Sequence, residues 1–323
     1  MSVKDDVLEY LEREKGKTVS GGALSARLGV SRNAVFKAVA ALKDAGYGVV
    51  SSRGGYTLPT SDNALSVPCI KKYLRGEKYI IHLYNEVGST NAVIKEMAEG
   101  GAPEWTVAVA ERQSAGRGRL GRTFVSPAGT GMYTSVLLRP DIPLAKTTLI
   151  TVAAAVAAAR AIENNSDCRA DIKWVNDIYV KNKKVCGILT EASFDAELSK
   201  LGYAVLGVGI NVAPPRGGFG GEVDTIAGAI AETATAELRA KIIADFYGAF
   251  SYFYENGLEL SIDEYRKRQL LVGKKAEISR GGEVFAVDVM GVDENCALVV
   301  RRENGAVEKI TSGEVSAHVI GDR

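Results

Sequence analysis

A short stretch in the middle of the chain combines arginine with glycine. The segment AGRGRLGR, Ala115 to Arg122, holds three arginines and three glycines in eight residues. Arginine carries a permanent charge and a fork of donors that suits phosphate or carboxylate, and glycine lets the backbone approach a ligand closely. Because the segment lacks the GK[ST] of a Walker loop, it predicts an anion-binding loop of another kind. A disordered basic turn and a nucleic-acid contact are the alternatives at this point.

A second patch carries neutral polar groups. In GSTNAVIKE, from Gly88 to Glu96, the residues Ser89, Thr90 and Asn91 stand where a predicted strand gives way to a predicted helix. Their hydroxyl and amide groups suit helix capping, and they suit hydrogen bonds to a small ligand equally well. On this segment alone, capping is the favoured interpretation.

A third patch lies on a predicted hairpin. The segment DIKWVNDIYVKNKKVCGIL, from Asp171 to Leu189, turns within a few residues at Asn182. The residues of this segment whose side chains could bind a ligand or take part in catalysis are Lys173, Trp174, Asn176, Asp177 and Lys184. Alone, the segment is also typical of an exposed hairpin with a solvated basic tip.

Composition limits the partners and the compartment. The 323 residues suit two or three domains, and 40 Lys and Arg against 39 Asp and Glu leave no global field that attracts nucleic acid or membrane. The four cysteines form no CxxC pair, which argues against a zinc site or a disulfide framework and for a reducing compartment. The apolar run from Leu149 to Ala159 ends at Arg160, well short of the ~20 residues that span a bilayer. We therefore expect a cytoplasmic protein without membrane contact, in which this run is a buried helix.

Residues 1–62 are predicted to form a winged helix-turn-helix domain. In GALSARLGVSRNAVFKAVAALKDAGY, Gly29 permits a turn and Ser31 is a natural N-cap for the following helix. The buried face of that helix is predicted from the helical spacing of Val35, Ala38, Val39 and Leu42. The segment YGVVSSRGGYTL then predicts two short strands around a turn at Arg53.

This arrangement favours DNA binding. The predicted DNA-contacting residues are Ser31, Arg32, Asn33 and Lys37 on the helix and Arg53 on the wing. Residues 1–60 hold 9 Lys or Arg against 6 Asp or Glu, which is only modestly basic. A small protein-interaction domain is therefore the alternative for this region.

The remainder divides into two regions, which makes the chain an α+β multidomain protein. Residues 66–269 alternate strand-like and helical runs, and hairpins are as frequent as crossovers, so we expect a mixed-sheet α/β domain. Residues 271–323 consist of short alternating strands and turns, which predict a small β-barrel of the SH3-like type.

Taken together, the motifs resemble those of the biotin protein ligases that also act as biotin operon repressors. The resemblance covers essentially the whole chain. The resemblance rests on five motifs: STN at Ser89 to Asn91, QSAGRGRLGR at Gln113 to Arg122, KWVND at Lys173 to Asp177, Lys184 with CGIL after it, and GVGINV at Gly207 to Val212. One departure is Val175, where the family usually has proline.

The resemblance implies a central domain of the class II synthetase-like, biotin–lipoate ligase type and a reaction in two steps. Biotin and ATP give biotinyl-AMP and pyrophosphate, and a lysine of a biotin carboxyl carrier protein of the acetyl-CoA carboxylase type then takes the biotinyl group. Mg²⁺ is expected to accompany ATP, held mainly by phosphate oxygens and not by a metal site of the protein. The implied catalytic residues are Arg119, Lys184 and Asp177.

The family's ligand site also transfers residue by residue. The implied biotin and biotinyl-AMP site comprises Ser89, Thr90, Asn91, Gln113, Gly116, Arg117, Gly118, Arg119, Lys184, Gly207 and Gly209. The neutral groups suit the ureido ring of biotin, and an apolar slot beside Gly207 and Gly209 suits its remaining carbon skeleton. Because a mixed anhydride hydrolyses in water, the arginine–glycine loop is expected to cover it.

Weaker adenylate contacts are assigned to Asn176, Asn211 and Phe219. Phe219 lies in APPRGGFGGEVD, from Ala213 to Asp224, which is either a loop that closes over adenine or an ordinary surface loop. Its ring is the group that could stack on the base.

Regulation follows from the winged domain. It implies repression of biotin synthesis genes through operator DNA, bound by a homodimer that forms when biotinyl-AMP is present. One alternative is a lipoate ligase or octanoyltransferase, which would share the fold and use another acid. Another is a transcription factor that only senses a small ligand, which would need the arginines and Lys184 only for affinity for that ligand. The arginine–glycine loop and the N-terminal module argue against the first of these.

Overall fold

The computed structural model describes residues 2–195, 200–280, 283–311 and 314–316. The helices are α1 (Val3–Arg13), α2 (Gly21–Leu28), α3 (Arg32–Asp44), α4 (Val67–Lys71), α5 (Thr90–Glu99), α6 (Thr148–Asn164), α7 (Val223–Ile226), α8 (Ala236–Asn256) and α9 (Ile262–Lys267). The strands are β1 (Val50–Ser52), β2 (Gly55–Thr57), β3 (Ile80–Val87), β4 (Thr106–Gln113), β5 (Gly131–Leu138), β6 (Asp171–Lys173), β7 (Asp177–Val180), β8 (Lys183–Asp195), β9 (Lys200–Asn211), β10 (Lys275–Arg280), β11 (Glu283–Val292), β12 (Leu298–Arg302), β13 (Val307–Ile310) and β14 (Glu314–Ser316).

Helix α2 ends and helix α3 begins where the sequence predicts. Ser31 Oγ accepts a hydrogen bond from the backbone N–H of Ala34 at 3.1 Å, and Gly29 ends α2 in the left-handed conformation with φ 65°. The buried side chains of α3 are the four predicted ones, Val35, Ala38, Val39 and Leu42. They pack with α1 and α2 in a core separate from that of the central region, and β1 and β2 pair antiparallel as the wing. The predicted helix-turn-helix is confirmed.

The central region is built on a seven-stranded sheet in the order β3-β4-β5-β9-β8-β7-β6. The strands β3 and β4 are parallel and joined through α5, and the other neighbours pair antiparallel. A mixed sheet is what the alternation of hairpins and crossovers predicts. Loops leaving β3, β4 and β6 converge on the surface formed by β8 and β9.

The apolar run is a core helix. All but a few residues of α6 are buried, and α6 packs against α8 on the sheet. With the turn before it, the helix spans Leu144–Asn164 and is long and apolar enough to cross a bilayer, but 72% of its most apolar stretch is buried inside the protein. The predicted buried helix is thereby confirmed.

The C-terminal strands form a five-stranded antiparallel sheet in the order β13-β12-β11-β10-β14. Its apolar residues join the same core cluster as those of the central region. Closure of this sheet into an SH3-like barrel stays a prediction, and so do the domain boundaries. Residues 317–323 of the predicted barrel domain lie outside the described residues.

A buried ion pair fixes the segment between the first two regions. Arg239 of α8 has only 1% of its side chain exposed and lies 2.5 Å from Glu111 of β4. Its second terminal nitrogen donates to the Asn63 carbonyl at 2.7 Å, and Glu111 accepts from the Leu65 N–H at 2.8 Å. A guanidinium is tolerated in such a place only when it is paired. The connecting segment is therefore held against the central sheet at Glu111, which precedes the pocket residue Gln113 by two positions.

Candidate active site

A single pocket of about 250 Å³ brings the predicted site residues together. Those that line it are Ser89, Thr90, Asn91, Gln113, Arg117, Gly118, Arg119, Asn176, Asp177, Lys184, Gly207, Gly209, Asn211 and Phe219. They come from five separate stretches of the sequence, at residues 89–91, 113–119, 176–184, 207–211 and 219. The pocket therefore joins the neutral and the cationic patches that the sequence shows far apart.

Hydrogen bonds order the neutral end of the pocket. Gln113 Oε1 accepts from the backbone N–H of Thr90 at 2.8 Å and from Thr90 Oγ1 at 3.1 Å. Gln113 Nε2 donates to Ser126 Oγ at 2.9 Å, and Ser126 Oγ donates to the Phe124 carbonyl at 3.0 Å. This chain sets the direction of the Gln113 amide. One hydrogen of Nε2 serves Ser126, so the other can serve a ligand acceptor.

Asn91 is held from several sides. Ser135 Oγ, fully buried on β5, lies 2.6 Å from Asn91 Oδ1 and 2.7 Å from Thr90 Oγ1. Asn91 Nδ2 donates to Glu191 Oε2 at 2.7 Å. A methyl group at Gly207 would overlap Asn91 Oδ1. Gly207 thus leaves room for the Asn91 amide.

Glu191 carries charge next to this amide. Burial on its own would raise the pKa of the Glu191 carboxyl, but hydrogen bonds from Lys95 and Asn91 outweigh that effect and lower the pKa. Lys95 Nζ lies 2.5 Å from Glu191 Oε1. The carboxylate therefore stays ionised and accepts from Asn91, which fixes the amide orientation.

Capping does not explain the STN motif. Ser89 occupies the N-cap position of α5, but its side chain makes no capping hydrogen bond. Thr90 and Asn91 are buried and bonded to Gln113, Ser135 and Glu191 instead. The favoured capping interpretation of this segment is wrong, because the polar groups turn toward the sheet and the pocket.

The arginine–glycine loop leaves β4 and is closed at its base. The backbone N–H of Gln113 donates to the Ser126 carbonyl at 3.1 Å, and that of Phe124 donates to the Gly116 carbonyl at 2.9 Å. A side chain at Gly116 would collide with the Phe124 carbonyl and with Ser126 Oγ. Gly116 is accordingly the one predicted site residue that lies in the loop stem and does not line the pocket.

Phe124 is a pocket residue that sequence reasoning missed. Gly187 of β8 and Gly209 of β9 are paired across the two strands. The Phe124 ring fills the space above this pair, where a methyl group at Gly209 would lie within 2.7 Å of the ring atom Cζ. The part of the predicted apolar slot beside Gly209 is therefore walled by an aromatic side chain. The space above Gly187 and Gly209 could be predicted only if the register of β8 and β9 were known.

The cationic end lies on the hairpin side. Lys184 Nζ is 2.7 Å from Asp177 Oδ1, with 30% and 22% of the two side chains exposed. Arg119 Nη1 donates to Asn176 Oδ1 at 3.1 Å, and Asn176 Nδ2 donates to the Ile188 carbonyl at 2.8 Å. The loop is thereby tied to the KWVND segment. Two further cations that were not assigned to the ligand site also line the pocket, Arg122 and Lys173.

The second glycine-rich loop reaches the same pocket. Phe219 lines it, and Asp224 Oδ1 accepts from the Phe219 N–H at 2.5 Å. Lys183 Nζ donates to the Thr225 carbonyl at 2.5 Å, and Asn211 Nδ2 donates to the Gly228 carbonyl at 3.1 Å. These bonds hold residues 219–228 over the ends of β8 and β9.

The C-terminal sheet supports the KWVND segment from behind. The Trp174 indole N–H donates to the Cys296 carbonyl at 2.9 Å, and Tyr265 Oη donates to the Val175 carbonyl at 3.0 Å. The Trp174–Val175 peptide bond is cis. Trp174 is buried and lines the pocket, so a turn of the C-terminal sheet contacts a pocket residue directly.

The predicted DNA-contacting residues lie on one exposed surface. Ser31, Arg32, Asn33 and Lys37 are exposed on α3 and its N-cap, and Arg53 is exposed on the wing. Lys43 Nζ donates to Ser51 Oγ at 2.9 Å, which ties α3 to β1. The helix and wing therefore present their cations together, and DNA contact by them stays a prediction.

Three segments of the chain match known families. Residues 85–211 match the Biotin/lipoate A/B protein ligase family, residues 4–57 match a family described as HTH domain, and residues 275–317 match the Biotin protein ligase C terminal domain. These segments fall within the central, N-terminal and C-terminal regions described above.

Two relatives match this chain along almost its whole length. The chain is 33% identical over 322 residues to the bifunctional ligase/repressor BirA of Bacillus subtilis, covering 97% of this chain and 98% of that protein, and 27% identical over 312 residues to BirA of Escherichia coli, covering 93% of each. The biotin protein ligase from Aquifex aeolicus, solved in complex with biotin and ATP, superposes with a TM-score of 0.60 at 27% identity, covering 73% of this chain and 97% of that chain. The chain therefore belongs to the family of bifunctional biotin ligase/repressor proteins.

Proposed function

We propose that this chain activates biotin with ATP and transfers the biotinyl group to a lysine of a biotin carboxyl carrier protein, and that it represses biotin synthesis genes through its winged domain. The observation that carries the enzymatic part is the composition of one pocket. It holds an ordered neutral end at Thr90 and Gln113 and a cationic end at Arg119 and Lys184. Biotin has a neutral ureido ring at one end and a carboxylate at the other, so it matches this polarity.

The neutral end recognises the ureido group. A ureido group offers N–H donors and a carbonyl acceptor within one ring. Gln113 Nε2 has a hydrogen for the carbonyl oxygen, and Thr90 Oγ1 retains acceptor capacity for an N–H. An acid without such a ring would leave the buried Thr90 and the partly buried Gln113 without these ligand partners, which costs affinity.

The cationic end serves the first step. One carboxylate oxygen of biotin attacks the α-phosphorus of ATP, the bond to the bridging oxygen breaks, and pyrophosphate leaves with its electron pair. Attack of an anion on a polyanion needs fixed positive charge to offset repulsion and to stabilise the charge that builds on the phosphate oxygens. Arg117, Arg119 and Lys184 provide it.

Mg²⁺ fits this site as a companion of ATP. Within the described residues no group of three or more His, Cys, Asp and Glu side chains could hold a metal ion. Asp177 is the one carboxylate among the described residues that line the pocket. Mg²⁺ would therefore be held mainly by phosphate oxygens, where it adds positive charge, with Asp177 assisting the metal or the incoming lysine amine.

The second step requires that the adenylate survive until the carrier arrives. The neutral amine of the carrier lysine attacks the acyl carbon of biotinyl-AMP and an amide bond forms. The amine loses one proton to Asp177 or to solvent, and AMP leaves as the phosphate oxygen takes the electron pair. Water would compete for the same carbon. The arginine–glycine loop, tied to Asn176 through Arg119, and residues 219–228 cover the intermediate, and Phe219 stacks on adenine.

The repressor function couples the two ends of the chain. Biotinyl-AMP promotes homodimer formation, and the two winged domains then match a two-part operator. Sedimentation of the full chain with and without biotin and ATP tests this directly. A ligand-dependent doubling of mass is expected, and an unchanged mass would contradict the dimer.

One incubation separates this proposal from the alternatives. The chain is mixed with ATP, Mg²⁺, a biotin carrier domain and either biotin or lipoate. A biotin ligase labels the carrier and releases pyrophosphate with biotin alone. A lipoate ligase would do so with lipoate, and a transcription factor that only senses a ligand would bind biotin without releasing pyrophosphate.

A further inference from the structure

The recognition-type helix α3 presents a large aromatic side chain to solvent. Phe36 is 62% exposed, although its neighbour Val35 is fully buried. Within the described residues 2–62, the exposed large apolar side chains are Phe36 and Val50, at 62% and 52%. A single exposed apolar residue is common on proteins and needs no explanation by itself. The position of these two is what makes them informative.

Phe36 lies on the exposed face of α3 that carries predicted DNA-contacting residues, and Val50 lies on the wing. Phe36 stands three residues after Asn33 and four after Arg32, so the three side chains share one face of the helix, with Lys37 beside them. Val50 opens the wing, and the bond from Lys43 to Ser51 holds the wing against α3. The Phe36 ring therefore stands beside the cations Arg32 and Lys37 on one helix face.

We propose that Phe36 contacts the C5-methyl group of a thymine in the major groove of the operator. The proposal rests on the repressor function proposed above, and it names one base contact within it. A helix fits the major groove, where thymine is the base that presents a methyl group and where phenylalanine is a suitable apolar partner. Arg32 and Lys37 flank the ring and reach phosphates or base edges, which sets the register of the helix.

Charge and chemistry both favour this occupant. A phenyl ring cannot hydrogen-bond a base edge, so it discriminates by contact with an apolar group alone. The cations around it suit a polyanion and oppose a cationic protein surface. The removal of one methyl group should therefore reveal the contact.

The test uses the full chain with biotin, ATP and Mg²⁺. Sites are selected from random duplexes, and each thymine of a selected site is then replaced singly by deoxyuridine, which lacks only the methyl group. We expect one position in each half-site at which this replacement weakens binding of the unmodified chain about fourfold, the factor that corresponds to ~0.8 kcal/mol for one buried methyl group. Phe36→Ala should bind the thymine site more weakly. At that one position it should no longer distinguish thymine from deoxyuridine, and at the other positions its discrimination should match that of the unmodified chain.

Controls separate this contact from the other roles that Phe36 could have. Phe36→Leu should restore part of the discrimination, and carrier biotinylation should be unchanged in both variants because Phe36 is far in sequence and fold from the pocket. Equal DNA binding by Phe36→Ala and the unmodified chain would overturn the contact, and so would an equal loss on thymine and deoxyuridine sites. A lower sedimentation mass of Phe36→Ala with ligand would assign the ring to a protein contact and overturn it too. Failure of the unmodified chain to bind any duplex would instead overturn the repressor function itself, and the contact with it.

Discussion

Lys184 Nζ lies 2.7 Å from Asp177 Oδ1, so the lysine of the hairpin and the carboxylate of the KWVND segment form an ion pair inside the pocket. Both side chains are partly exposed, which means that water and ligand can reach the pair. A lysine that binds ATP phosphates must exchange this partner for phosphate oxygens. In the proposed mechanism the pair would hold the lysine in place before the substrate arrives, and the exchange would free the carboxylate afterwards.

Removal of the Lys184 charge should slow the first step. We expect Lys184→Ala to lower the rate of biotin-dependent pyrophosphate release by about 10²-fold, the range seen when one stabilising donor is removed from an active site. Lys181→Gln is the matched control, because Lys181 is an exposed lysine of the same hairpin. A Lys184→Ala rate within twofold of the control would remove Lys184 from the mechanism.

Arg119 should matter more for retention of the adenylate than for its formation. Arg119 ties the loop to Asn176, so its loss leaves the pocket's other cations but opens the cover. We expect Arg119→Gly to make biotinyl-AMP and to release it, which would biotinylate bystander lysines of an added protein such as albumin. Arg112→Ala, which changes an exposed arginine of β4, serves as the control. Tight retention of the adenylate by Arg119→Gly contradicts a covering role.

Replacement of Phe219 should weaken the binding of ATP and leave the binding of biotin unchanged. Its backbone is fixed by Asp224 while its side chain lines the pocket, so truncation removes a ring without releasing the loop. We expect Phe219→Ala to raise the KM for ATP about tenfold, in line with the ~1–3 kcal/mol of base stacking on an aromatic ring, and Phe219→Tyr to restore it. Biotin binding measured by calorimetry should not change. An unchanged KM for ATP would exclude stacking.

Ser126 should act as a positioning residue for Gln113. It accepts from Gln113 Nε2 and closes the stem of the loop, and Ser126 itself is buried. We expect Ser126→Ala to raise the KM for biotin about tenfold, the cost of one unpaired buried amide hydrogen at ~1–3 kcal/mol, with little change in the KM for ATP. Ser114→Ala, at an exposed serine on the other side of the stem, should have no effect. Equal increases in both KM values would indicate general loosening instead.

Most of the pocket-lining ligand residues could be predicted from the sequence because they lie in short motifs. Five such stretches meet in the fold, and of the predicted ligand residues only Gly116 does not line the pocket. The residues that could not be predicted from the sequence depend on contacts between distant strands. Ser135 and Glu191 orient Asn91 from β5 and β8, and Phe124 fits over two glycines that face each other only once β8 and β9 are paired. The support of Trp174 by Cys296 depends likewise on how the C-terminal sheet packs on the central one.

In the proposed mechanism, one pocket joins biotin to the α-phosphate of ATP. Isotope exchange between ATP and labelled pyrophosphate measures that step alone, without carrier protein or DNA. The unmodified chain should exchange label only when biotin and Mg²⁺ are present, and lipoate or octanoate should not replace biotin. Exchange without an added acid, or exchange supported by lipoate and not by biotin, would contradict the account.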